Sequence, residues 1–98
     1  MSYVLRPAAR ADLAEIWLYT ADEWGVSQAD NYTAALTRRM EKIAEQPQIG
    51  SSIRGLPDIY RKLKADRHQI IYRYDEVALT IVRILHERQD VPEAGDLD

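Results

Sequence analysis

The chain contains no cysteine. This excludes a disulfide framework and any thiolate metal site, and it fits a reducing compartment. Histidine is nearly absent too, with only His68 and His86. Two imidazoles without a thiol partner do not make a zinc site, so no metal or cofactor is expected. The first residues lack the basic stretch and apolar run of a secretory signal. No apolar run approaches the length needed to cross a bilayer. A soluble, cytoplasmic protein with no membrane partner is therefore expected. There is also no internal repeat and no low-complexity segment.

What remains is enough for one small core. The 98 residues fit a single domain spanning 1–98. A hydrophobic content of 46% argues against disorder. The net charge of −3 and sequence pI near 5.3 argue against a dedicated nucleic-acid binder, so direct sequence-specific binding of nucleic acid is not expected. The charge is unevenly spread. Arg54, Arg61, Lys62, Lys64, Arg67 and Arg73 face only Asp58 and Asp66 within 54–73, whereas 87–98 sets Glu87, Asp90, Glu93, Asp96 and Asp98 against Arg88. A basic sheet followed by an acidic tail suits an anionic partner or a solvated surface. The tail, 91–98, is expected to fray.

Along the chain, Tyr3-Val4-Leu5 reads as a short strand, and Pro7 suits the first turn of a helix. Leu13, Ile16, Trp17, Thr20, Ala21 and Trp24 then recur with helical spacing, which predicts that both tryptophans are core. Asp12, Glu15, Asp22 and Glu23 fall mostly off that stripe. Gly25 ends the helix. Ser27 is placed to cap the next one, with Asp30 near its positive end. Ala29, Tyr32, Thr33, Leu36, Met40, Ile43 and Ala44 form the second stripe, and Pro47 stops it. So short a junction makes the helices an antiparallel hairpin. Residues 48–58 read as a loop.

The stretch 59–90 reads as three consecutive strands, with turns near Ala65-Asp66 and Asp75-Glu76. If Asp75-Glu76 is a two-residue turn, Tyr74 faces Val77. One face then carries His68, Ile70, Tyr72, Tyr74, Leu79, Ile81, Arg83 and Leu85. The other carries Gln69, Ile71, Arg73, Thr80, Val82, Ile84 and His86. Both faces are substantially apolar, and the helix hairpin can cover only one. The second must be covered by other chain or by a partner.

The order of these pieces resembles the ParE/RelE toxin superfamily of bacterial type II toxin–antitoxin systems, and within it the ParE family. The resemblance is carried by Ala11-Asp12-Leu13 with Glu15-Ile16 and Tyr19-Thr20, and by Trp24-Gly25 with Gln28-Ala29 and Tyr32. It continues through Pro47 with Gly50, Tyr60-Arg61, His68, Ile71-Tyr72-Arg73, and 81–86 followed by Arg88 and Asp90. It implies an α+β fold: an N-terminal strand, an antiparallel two-helix hairpin and a three-stranded antiparallel meander.

The resemblance implies two activities. RelE-like members are ribosome-dependent mRNA endonucleases, which need a group to activate the 2′-OH, a cation for the phosphorane and a proton donor for the leaving oxygen. Arg61 and Arg88 stand at positions similar to two of their basic residues, and Arg73 and His86 would join them in phosphate and proton work. No tyrosine follows Tyr74, however, and Gln69 or a neighbour stands where a mid-strand arginine would be. ParE-like members are non-catalytic and inhibit DNA gyrase by binding. The run Leu85-His86 with Arg88 and Asp90 is more similar to ParE. The expected function is therefore a gyrase-binding toxin neutralised by a ParD-like antitoxin, with no catalytic residues. Candidate target- or antitoxin-binding residues are Arg61, Lys62, Lys64, His68, Arg73, Arg83, His86 and Arg88. An amphipathic antitoxin helix is expected on the hairpin and around the basic sheet.

Overall fold

A computed structural model describes residues 1–97. Strand β1 (Tyr3–Leu5) leads into helix α1 (Pro7–Trp24), whose first position is the proline. Helix α2 (Val26–Glu45) returns antiparallel to it. Gly25 joins the two with φ 97°, a conformation costly for any residue with a Cβ. Gly25 itself is the N-cap of α2, and no side chain caps that end, so Ser27 does not take the role its position suggested.

The α2 stripe is buried as expected through Ala29, Leu36, Met40, Ile43 and Ala44. On α1 the buried residues are Ala9, Asp12, Ile16 and Thr20, so the inward face is rotated relative to the expected one. Trp24 is 59% exposed and packs edge-to-face on Tyr19. Trp17 is half-buried and donates from Nε1 to Asp30 Oδ1 at 2.9 Å, pinning the two helices together.

The sheet has five strands in the order β1-β5-β4-β3-β2, with β2 (Ser51–Ser52), β3 (Tyr60–Ala65), β4 (His68–Tyr74) and β5 (Leu79–His86). The predicted meander is β3-β4-β5, and β1 adds to it in parallel beside β5. The expected loop over 48–58 contains the end of a 3-10 turn (Pro47–Ile49) and the small strand β2. Asp66-Arg67 joins β3 to β4, one residue later than read from the sequence, with Asp66 at φ 58°. The next connection is four residues, Asp75–Ala78, and Tyr74 pairs with Leu79. Val77, expected opposite Tyr74, is 88% exposed in that loop. Asp75 Oδ1 accepts from the Val77 and Ala78 amides, and these bonds hold its carboxyl below the ordinary range.

The pairing slips where Ile71 faces Arg83 but Tyr72 faces Ile81, leaving Val82 as the extra residue. This bulge reverses the alternation of β5. Leu79, Ile81 and then Ile84 join Ile70 and Tyr72 against the helices, while Val82 and Leu85 join Ile71 on the opposite side. The sequence reading had placed Ile84 and Leu85 on the reverse faces, because a strict period of two cannot see a bulge.

The second face is covered by the chain itself. Ile53 and Leu56 from the loop, and Val91 and Leu97 from the C-terminal segment, pack on Tyr60, Ile71, Val82 and Leu85. Leu97 is 3% exposed at the end of a short helix, α3 (Ala94–Leu97). In the segment expected to fray, Val91 and Leu97 cover part of the apolar sheet face and shield it from water. Residue 98, the end of that expected tail, lies outside the described residues.

Candidate functional site

A groove of about 650 Å³ runs between α1, the start of α2 and the far end of the sheet. Ile16, Tyr19, Trp24 and Ile84 supply its apolar wall. Asp12, Arg83, Tyr32, Asp66, Arg67, His68, His86 and Gln89 supply the polar side. Tyr19 and Trp24, 61% and 59% exposed, pack edge to face and carry this apolar surface toward the helix junction. Scattered exposed aliphatics need no explanation, whereas an exposed aromatic pair beside a groove makes a candidate interaction surface.

The floor is set by Asp12 and Arg83. The Asp12 carboxylate accepts from Arg83 Nε at 2.8 Å and Nη2 at 2.9 Å, and from the Ile84 amide at 2.9 Å. This two-pronged pairing, 71 residues apart in sequence, fastens α1 to β5 just past the bulge. The hydrogen bond to Asp12 raises the Arg83 pKa further. At the far end, the Arg67 amide donates to the Tyr32 hydroxyl at 3.3 Å, and that hydroxyl lies 2.7 Å from His68 Nδ1. His68 and His86 face each other across β4 and β5 with ring centroids 5.5 Å apart, edge to face. Burial first, and His86 second, hold the His68 imidazole below its ordinary pKa. Burial likewise raises the Tyr32 phenol.

The eight sequence-selected residues do not form one site. His68, Arg83 and His86 come together in the groove. Lys62, Lys64 and Arg88 gather with Ser51, Gln69 and Glu87 in a shallow hollow elsewhere on the sheet. Lys64 reaches Glu87 at 3.5 Å, an exposed pair of little energetic weight. Arg61 and Arg73 have separate employment. Arg61 Nη1 donates to the Gly50 carbonyl at 2.6 Å, and Arg73 Nη1 points to the Tyr60 hydroxyl at 3.4 Å. Arg61 thus braces the turn after α2. Tyr72 reinforces it by donating to the Pro47 carbonyl at 2.6 Å and accepting from the Gly50 amide at 2.9 Å.

Three groove residues escaped the sequence reading: Asp12, Tyr32 and Trp24. Asp12 was set aside as off-stripe, yet Ala9, Asp12, Ile16 and Thr20 have helical spacing among themselves. A carboxylate inside such a series signals a buried cation somewhere else in the chain. Tyr32 was assigned to the core, and only the tertiary fold reveals that its hydroxyl meets His68. Among the described residues no group of three or more metal-ligating side chains occurs, and no helix is long and apolar enough to cross a membrane.

Comparison with known proteins places this architecture. Residues 3–91 match the family described as the ParE toxin of the type II toxin–antitoxin system parDE. Toxin ParE1 of Mycobacterium tuberculosis is 43% identical over 90 residues, covering 91% of this chain and 92% of that protein. Toxin ParE1 of Caulobacter vibrioides is 39% identical over 85 residues, covering 87% and 88% of the two chains. Toxin ParE of Escherichia coli is 34% identical over 92 residues, covering 92% and 88%. A solved chain from the chromosomal ParDE system of P. aeruginosa superposes with a TM-score of 0.76, covering 88% of this chain and 95% of that one. At 18% identity this likeness bears on the fold alone. The α+β hairpin-on-sheet architecture and the match over 3–91 together show that the chain belongs to the ParE toxin family of type II toxin–antitoxin systems.

Proposed function

We propose that this toxin acts in the cytoplasm by binding and inhibiting DNA gyrase, without catalysis of its own, and that a ParD-like antitoxin neutralises it. The observation that carries the non-catalytic reading is that its candidate cations are either dispersed or already paired: the one that shares the groove with His68 and His86, Arg83, is held by Asp12. Arg61 is committed to the Gly50 carbonyl, Arg83 to Asp12, and His86 Nδ1 accepts from the Arg88 amide at 3.2 Å. Lys62, Lys64 and Arg88 lie in a separate hollow. Phosphoryl cleavage would need a base, a cation and an acid converging within hydrogen-bond reach of one phosphate. The antitoxin reading is supported by the groove with its exposed Tyr19 and Trp24, which suit the apolar side of an amphipathic segment.

Two assays run in parallel test the proposal. Purified toxin should block gyrase supercoiling, and adding the antitoxin should restore it. In a translation extract containing ribosomes, mRNA should stay intact. Cleavage at ribosomal A-site codons with unimpaired supercoiling would reverse the assignment in favour of a RelE-like endonuclease.

A further inference from the structure

Helix α1 carries the negative charge of this chain. Arg10 stands on it against Asp12, Glu15, Asp22 and Glu23, a net of −3, and the whole chain also nets −3. The groove it borders is lined by Asp12, Glu15 and Asp66 against Arg67 and Arg83. Asp66 and Arg67 are neighbours in the β3–β4 turn and offset each other. Asp12 and Glu15 share one guanidinium, for Arg83 is bonded to Asp12 and feels Glu15 only through its field. Among the described residues the Glu15 carboxylate has no hydrogen bond or ion pair of its own. The histidines do not make up the difference near neutral pH. Burial holds His68 below its ordinary pKa, and His86 Nδ1 accepts from the Arg88 amide as a neutral ring does.

The free carboxylate sits beside aromatic surface. Glu15, Tyr19 and Glu23 recur every fourth residue, so they form one row along α1, and all three are exposed. Tyr19 therefore has a carboxylate one helical turn before it and another one turn after it. Trp24 closes the side of this row, edge to face with Tyr19 at 6.3 Å between ring centroids. An exposed ring flanked by carboxylates suits a cation, which the ring face attracts and the carboxylates neutralise. An anion would meet negative charge from both. Arginine fits better than lysine, because a planar guanidinium stacks on a ring and pairs with a carboxylate at once.

We propose that this row receives an arginine side chain from an amphipathic segment of the antitoxin, stacked on Tyr19 beside Trp24 and paired with Glu15. This rests on the antitoxin reading above. The segment's apolar side chains then share the groove wall along Ile16. The complex therefore weakens as salt rises, because an ion pair at the open side of a groove is screened.

Titration calorimetry of the full toxin with its co-encoded ParD-like antitoxin, at about 0.05 M and about 0.5 M salt, tests this. Glu15→Gln should weaken binding about fivefold at low salt and flatten the salt dependence. Tyr19→Leu keeps an apolar side chain but removes the ring face, and should weaken binding about fivefold at both salt concentrations. Glu15→Lys sets like charges together and should weaken binding by about thirtyfold or more. Each arginine of the antitoxin segment is then replaced by glutamate in turn. One of these replacements should bind Glu15→Lys about tenfold more tightly than the unaltered antitoxin does, because the reversed charges pair again. Thermal melts confirm that the toxin variants fold. Undiminished or tighter binding by folded Glu15→Lys, a salt dependence that survives in Glu15→Gln, or an absence of any such rescue overturns the arginine site and leaves antitoxin binding standing. Gyrase inhibition lost in Glu15→Lys with antitoxin affinity unchanged overturns the choice of occupant. No binding by the wild-type chain overturns the antitoxin reading and the arginine site with it.

Discussion

Replacing Asp12 with alanine should be among the most damaging single changes in this protein. Asp12 is 9% exposed and accepts three hydrogen bonds, two from Arg83 and one from the Ile84 amide. Its removal leaves a guanidinium whose side chain is 28% exposed without its counter-charge, and a buried amide without an acceptor. Breaking a buried pair from one side typically costs about 3–5 kcal/mol. Partial solvent access to Arg83 brings the expectation to about 3 kcal/mol. For a chain of this size that is a fall in Tm on the order of 10–20 °C. Asp12→Asn, which keeps one oxygen acceptor, should cost roughly half as much. Urea unfolding of wild type, Asp12→Ala, Arg83→Met and the double variant gives the coupling energy, expected near 2 kcal/mol because the second change removes the stranded charge. Additive single effects, or a loss below about 1 kcal/mol for Asp12→Ala, would show that the pair does not fasten α1 to β5.

Tyr72→Phe removes one donor and one acceptor that serve the Pro47 carbonyl and Gly50 amide. It should cost about 1–3 kcal/mol in urea unfolding. Gly50→Ala should destabilise by a comparable amount, on the order of 2 kcal/mol, since an added Cβ would lie 2.7 Å from the Lys62 carbonyl and 2.6 Å from the Tyr72 hydroxyl. Because His68 is held below the ordinary histidine value of about 6.5, its contribution to stability is complete above that pH and is lost as pH falls through the folded value. Melting between pH 8 and pH 5 should therefore show a decline that His68→Gln flattens. Leu97→Ala should lower stability by about 2 kcal/mol, the low end for a buried leucine because its helix is short and terminal, and equal melting of the two proteins would mean that the C-terminal helix does not cover the sheet.

The sequence reveals element types well wherever a period runs uninterrupted. The α2 stripe is buried as read because every member is apolar or small and the helix packs squarely on the sheet. On α1 the reading favoured large apolar residues, and Trp24 was taken inward. The fold instead turns Asp12 inward, because Arg83, far away in sequence, neutralises it. Strand order within the meander follows from chain order and short turns, but β1 beside β5 and β2 beside β3 are pairings that two or three residues cannot announce. The site was less legible than the fold. Cationic residue type picked out Arg61 and Arg83, whose charges also serve internal contacts, and it passed over Tyr32, whose place at the groove is fixed by a neighbour 36 residues away.

The three hydrogen bonds at Asp12 also bear on what can add to this sheet. Strand β1 pairs with 79–81 of β5, so among the described residues no strand pairs with β5 on its outer side beyond Ile81. Such an edge invites another chain to extend the sheet. Here the outward Ile84 amide is taken by the Asp12 carboxylate, and α1 lies where an incoming strand would run. A side chain thus substitutes for a sixth strand. A partner that adds by main-chain pairing must first displace Asp12 and the helix carrying it, so this edge favours association through side chains and against uncontrolled growth of the sheet.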